Sequence, residues 1–341
     1  MPAPPSEPFG RQVESAAETI VGESVDAGFL GEGAEIRASA VSAGNEGKRS
    51  RGKPFGLGAK LAMGWMAFVV VMAILAKAGI LTWGDAQESV ARCARKGPFA
   101  DEGGASGYLL GCDSNGRNMA ARLALGAWTS MLVATGAIAL GFLVGGTLGL
   151  TAGYFSGKVD TFLTGMFNVL LSVPSVIMAL ALVAFLQGSP SEAATSGLPA
   201  EMILIIAIGV VSVPLVGRIT RASALSWAQR EFVLAARAQG AKNGRVMARE
   251  VLPNVLPAMF SISLLGIAVA IVAEGTLSIL GVGVRPPTPS WGNIIALDRG
   301  NLFKSPHIVF EASILIFLTV LSLNYLGDVI RARFDVREGA L

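Results

Sequence analysis

The chain has 341 residues, 52% of them apolar and only 15% charged, against roughly 25% charged in an ordinary soluble domain. Together with 42 glycines and a mean hydropathy of +0.59, this excludes a disordered chain and argues against a water-soluble globule. The deciding question is whether the apolar residues run long enough to cross a bilayer, about 20 at a time.

Residues 1–46 hold eight acids and two bases, with no apolar stretch near the start. They lack a cleavable secretion signal and read as a disordered tail. Lys48, Arg49, Arg51, Lys53 and Lys60 follow with no acid among them. A nucleic-acid patch is the rival reading of this cluster. The apolar segment Leu61 to Leu81 begins directly after it, however, so residues 1–60 read as a cytoplasmic tail ahead of a first span at 61–81. Residues 82–122 then form an outer loop containing both cysteines, Cys93 and Cys112. Two thiols outside the cytoplasm can form a disulfide, with two unpaired thiols as the alternative.

Charge-free stretches follow at Leu123–Gly157 (35 residues), Thr161–Ser191 (31), Met202–Gly217 (16), Val251–Ala273 (23) and Ala312–Gly327 (16). The two shortest are flanked by Arg218 and Arg331, whose long side chains can snorkel. The expected fold is therefore an all-α membrane protein of six transmembrane helices. A five-helix core lies at 123–331, and a short inner tail at 332–341. The loop 218–250 has seven bases against two acids, whereas 187–201 carries Glu192 and Glu201 and no base. Both termini and the 218–253 loop are thus expected in the cytoplasm.

Several function classes lack their residues. There is no phosphate-binding G-x-x-x-x-G-K-[ST], no G-x-G-x-x-G, no G-x-S-x-G and no H-E-x-x-H. His307 is the single histidine, and the cysteines lack metal-ligand spacing, so neither a catalytic centre nor a metal site is expected. The spans hold no paired carboxylates of the kind a proton relay uses. Glu274, near the outer end of span five, is the main exception.

In span two, Gly141, Gly145, Gly149, Gly153 and Gly157 recur every four residues. That spacing makes one slowly drifting stripe on a helix, along which a neighbour can approach closely. The stripe is either static packing or a seam along which helices slide. Span three carries Pro174 and span four Pro214, each expected to kink its helix. Ser172, Ser175 and Ser212 lie near enough to satisfy freed carbonyls.

The 218–253 loop is the most informative segment. Residues 231–239 are good helix formers and Gly240 stands as a C-terminal cap. An amphipathic stretch at 242–252 is expected to stop at Pro253. The small Ala235, Ala236 and Ala238 suit close docking, with the arginines supplying charge. A basic loop that serves topology alone is the alternative.

The string from Glu231 through Ala235, Ala236, Arg237 and Gly240 to Val251, Leu252 and Pro253 resembles the cytoplasmic "EAA" loop of binding-protein-dependent ABC importer permeases. The resemblance is closest to the oligopeptide/dipeptide branch. Three further strings are similar to motifs of that branch: Gly111 to Asn118 with Arg122, Glu274 to Gly292, and Asn324 to Arg331. Together they cover about Leu61 to Glu338, and the first two fit the C-type partner of the permease pair. The chain departs from the pattern at Leu234, Glu250, Cys112 and Asn118.

The resemblance implies a type I importer half-channel in a prokaryotic plasma membrane. A second homologous permease, two ATP-binding subunits holding ATP and magnesium, and an extracytoplasmic solute-binding protein would complete it, delivering di- or oligopeptides. No cofactor and no nucleic acid are implied for this chain. Residues 231–240 would be the helix seated in an ATPase groove. Nickel chelates or other peptide-like solutes are alternative cargoes. A gradient-driven transporter and a membrane scaffold are the rivals from other classes.

Overall fold

A computed structural model describes residues 56–80, 86–98, 108–188 and 197–338, with the backbone alone for 333–338. The acidic tail, most of the basic cluster and much of the 187–201 stretch lie outside these residues. Nine helices form the described chain: α1 Leu57–Lys77, α2 Met119–Phe155, α3 Gly157–Ser172, α4 Ser175–Gln187, α5 Ala200–Ala228, α6 Glu231–Ala238, α7 Asn243–Ile279, α8 Trp291–Asp298 and α9 Pro306–Glu338. Among the described residues there is no strand, only an isolated antiparallel bridge between Cys112 and Asn118.

Five of these helices are long and apolar enough to cross a membrane, and α3 with α4 makes a sixth segment bent by 87°. The bend is larger than a proline kink. Val173, directly before Pro174, has φ −87° and ψ 128°, the extended conformation that the following ring favours over helix. The helix therefore ends there and a new one begins. Pro214, by contrast, sits inside α5, which runs unbroken from Ala200 to Ala228. Ser212 donates to the Gly209 carbonyl at 2.7 Å beside it.

The second loop helix does not stop at Pro253. It runs through a π-helical segment, Met247–Val251, into the span, so that 243–279 is one helix. The wider turn lies just before Pro253, which has no N–H to donate back along the helix.

Packing follows the apolar faces. α2 lies along α5 and α7, α9 along α7 and α1, and α8 fills the space between α7 and α9. One core joins Val69, Val133, Ala137, Leu204, Ile271, Trp291 and Ile308 across these helices. A second cluster, with Leu150, Ala224, Val233, Val251 and Met259, closes the end that carries α6. α2 starts beside the Cys112–Asn118 bridge, and α9 starts with His307 Nε2 at 3.2 Å from the Cys112 carbonyl oxygen. This end is the disulfide face and the opposite one the loop face. Gly58, at the start of α1, packs against Tyr325 in the second half of α9. Both ends of the described core thus reach the loop face.

Candidate coupling surface and translocation cavity

On the loop face, α6 buries only Val233 and half-buries Ala236. Phe232, Leu234, Ala235 and Ala238 stay exposed. Glu231 occupies its first turn and Arg237 its last, each charge complementing the helix dipole. The helix ends as its sequence directs. Gly240 takes φ +82°, its N–H bonds the Arg237 carbonyl at 2.9 Å, and the Ala241 N–H bonds the Ala236 carbonyl at 3.2 Å. This pair of bonds is a Schellman turn, which needs a residue free to adopt positive φ. Leu252 is half-buried and Pro253 exposed, one helical segment further on.

Two cation–π contacts hold α6 in place. Arg230 lies 5.2 Å from the Trp227 ring centre, and Arg237 lies 4.6 Å from that of Tyr154. The Tyr154 hydroxyl donates to Asn243 Oδ1 at 3.2 Å. Arg237 is thus engaged with its own chain. Close by, Arg221 of α5 forms a two-pronged ion pair with Asp160 of α3. Its Nη2 donates to Oδ2 at 2.6 Å and its Nε to Oδ1.

Four stripe glycines meet α5. A Cβ on Gly141 would lie 2.1 Å from Ser212 Oγ, on Gly145 2.3 Å from the Val213 carbonyl oxygen, on Gly149 2.2 Å from the Gly217 carbonyl oxygen, and on Gly153 2.6 Å from the Arg221 carbonyl oxygen. At Gly145, Gly149 and Gly153 the two backbones touch and leave no room for a methyl group, while at Gly141 the Ser212 side chain fills the space. Gly157 does not belong to the stripe. With φ +60° it forms, together with Ser156 at φ +53°, the turn into α3, and no atom of another residue lies within 4 Å of a Cβ placed there. Its conformation, rather than its size, selects glycine.

α2, α3, α4, α5 and α7 line an open cavity of about 210 Å³ at the α3–α4 break. Ile138, Leu171, Val176, Ile208, Leu215 and Val269 line it, with Ser175 and Ser212 as its only polar side chains. Val169, Leu171, Val173, Val176 and Ile177 around the break are all exposed. They offer an apolar, charge-free wall to whatever stands opposite.

Toward the disulfide face a buried polar cluster joins three helices. Glu274 Oε1 accepts from Ser290 Oγ at 2.7 Å and Ser278 Oγ at 2.9 Å, and Oε2 accepts from Ser130 Oγ at 3.2 Å. The Trp291 N–H donates to Ser130 Oγ at 3.1 Å, and its indole donates to the Leu123 carbonyl at 3.0 Å. Asn293 and Ser290 close a capping box on α8. Gly275 and Gly292 allow this approach, since a Cβ on Gly292 would lie 2.6 Å from the Gly275 Cα. In the sequence Glu274 stands out as the exceptional carboxyl group of span five and as the first residue of the 274–292 motif. Two of its partners, Ser278 and Ser290, lie in the same 274–292 string, but nothing in that string points to Ser130 of α2. Neither Tyr154 nor the Asp160–Arg221 pair belongs to a motif that would mark it in the sequence.

The disulfide face itself is tied covalently. Cys93 and Cys112 are bonded, with Cα atoms 5.9 Å apart, and both are fully buried. Backbone bonds Val90 N–H to Gly116, Arg95 N–H to Asp113 and Cys112 N–H to Lys96 run alongside. Asp113 accepts from Arg117 Nε at 2.7 Å and lies 3.3 Å from Arg122 Nε. Asn118 caps α2 by accepting from Ala120 N at 2.9 Å and Ala121 N at 3.3 Å.

Residues 145–338 match the family described as "Binding-protein-dependent transport system inner membrane component". The chain is 34% identical over 234 residues to the "Dipeptide transport system permease protein DppC" of Alkalihalophilus pseudofirmus, covering 69% of this chain and 73% of that protein. It is 31% identical to the "Glutathione transport system permease protein GsiD" of Pectobacterium atrosepticum, covering 69% and 74%. Among solved structures, an inward-facing form of the MetNI methionine ABC transporter superposes with a TM-score of 0.52 at 18% identity, over 62% of this chain and 95% of that one. That likeness concerns the fold.

Proposed function

The chain belongs to the family of binding-protein-dependent transport system inner membrane components, multi-pass permeases of the bacterial plasma membrane that are not themselves enzymes, and from this premise we propose that it imports di- and oligopeptides. The relatives above are named for dipeptides and for glutathione, a tripeptide, and a common peptide chemistry supports that cargo. The apolar cavity wall supports it too, because a surface without fixed charge accepts side chains of many kinds. A second homologous permease would complete the pathway, and a solute-binding protein would deliver cargo at the disulfide face. Two ATPase subunits, carrying ATP and magnesium, would dock on the loop face.

The observation that carries the docking assignment is α6. It is an exposed helix with small Ala235 and Ala238 outward, closed by the Gly240 turn and seated on the span ends. Closure of the ATPases would push on this helix and turn the pathway as a rigid body. The test is co-purification followed by uptake. The wild-type chain is expected to bring down two ATP-binding subunits and to support accumulation of a labelled dipeptide. Ala236→Arg and Gly240→Asp should still insert but lose the ATPases and uptake. Wild-type uptake in both variants would remove α6 from this role.

A further inference from the structure

α6 is short and mostly exposed, so it can move the spans only through the few groups it seats against them. Val233 and Ala236 enter an aliphatic cluster with Leu150 and Ala224, and such contacts slide easily. Tyr154, in the same cluster and only 5% exposed, makes directional ones. Its ring lies beneath the Arg237 guanidinium at 4.6 Å, and its hydroxyl donates to Asn243 Oδ1 at 3.2 Å. Arg237 stands in the last turn of α6 and Asn243 is the first residue of α7. One side chain of α2 therefore holds both sides of the turn between them.

Tyr154 also directly follows Gly153, where α2 lies against the Arg221 carbonyl and Ala224 of α5. From there the glycine seam joins α2 and α5 back to Gly141 and Ser212. Ser212, with Ile138 and Ile208, lines the cavity. We propose that Tyr154 is the positioning residue that ties α6 and the start of α7 to α2, so that displacement of the coupling loop becomes displacement of the cavity wall. The inference rests on the assignment of α6 as the ATPase contact.

The test uses the complete transporter reconstituted in lipid vesicles, with ATP hydrolysis and dipeptide uptake measured together. In Tyr154→Leu the ATPase subunits should stay bound and basal hydrolysis should remain within about twofold, while dipeptide moved per ATP falls about fivefold, the scale of losing one partly desolvated cation–π contact. Tyr154→Phe keeps the ring under Arg237 and should recover about half of that loss. Adding Arg237→Gln to Tyr154→Leu should cost little more, because both act through one contact. A wild-type ratio in Tyr154→Leu, or a basal rate that falls in step with uptake, overturns the proposal. If Tyr154→Leu does not assemble, Tyr154→Phe and Arg237→Gln are read instead, and wild-type ratios in both overturn it. A wild-type complex that hydrolyses ATP yet moves no dipeptide refutes the peptide cargo alone. Stimulation of hydrolysis by the binding protein is then the readout, with the same fall expected in Tyr154→Leu.

Discussion

Glu274 shows how a carboxyl group is accommodated deep in an apolar bundle. Three serine hydroxyls donate to it, and two of these serines have a further partner: Ser130 accepts from the Trp291 N–H and Ser290 from the Asn293 N–H. With those lone pairs used, the serine protons are directed at the two carboxyl oxygens of Glu274. An amide in its place puts an NH2 group where one of these oxygens now accepts from a serine. Glu274→Gln should therefore cost about 1–3 kcal/mol, seen as a lower midpoint of thermal unfolding in detergent. An unchanged midpoint would mean that the serines turn to accept instead. The 274–292 string was legible as a motif beforehand, but its chemistry was not, because Ser130 lies 144 residues away.

At the scale of the element, the glycine stripe and the proline sites show where local pattern suffices. A spacing of four marks a face on any helix, so Gly141 through Gly153 were identifiable from the chain alone. Their partner was not, since spacing says nothing about what lies opposite. Gly157 shares the spacing yet lies past the helix end, where positive φ decides. Gly149→Ala places a methyl group 2.2 Å from the Gly217 carbonyl oxygen. It should greatly reduce the yield of folded protein, because neither backbone can give way. Gly165→Ala, on α3 with open space at that position, should leave yield unchanged or raise it slightly through helix propensity. Monodisperse yield after detergent extraction compares the two, and equal yields would mean that the seam can open without loss. The two prolines differ for a related reason. Each sequence has Ser-Val before Pro, yet Val173 becomes extended and Val213 stays helical, because α5 is held by close neighbours on α2 and the α3–α4 segment is largely exposed.

For the whole molecule, the disulfide and the basic loop lie on opposite faces, so sidedness can be argued twice. Disulfides persist outside the cytoplasm, and bases gather within it. On both arguments α6 and the ends of the described core are expected on the inner side. Phe303, 99% exposed beside the disulfide face, and Leu234, exposed on α6, are suitable reporters because both native cysteines are bonded. In right-side-out vesicles a membrane-impermeant maleimide should label Phe303→Cys and leave Leu234→Cys untouched. The reverse pattern would invert the orientation.

By itself the sequence determined the helical membrane class, the apolar segments, the capped surface helix and the family. Each of these depends on hydropathy or on spacing within a few turns. The tertiary structure alone decided the 87° bend, the continuous helix through Pro253, the pairing of Cys93 with Cys112, and the contacts of Glu274 and Tyr154. These depend on how each helix is rotated about its axis and on what is packed against it, and they join residues far apart along the chain. Apolar helices with little amphipathic bias carry no local mark of either.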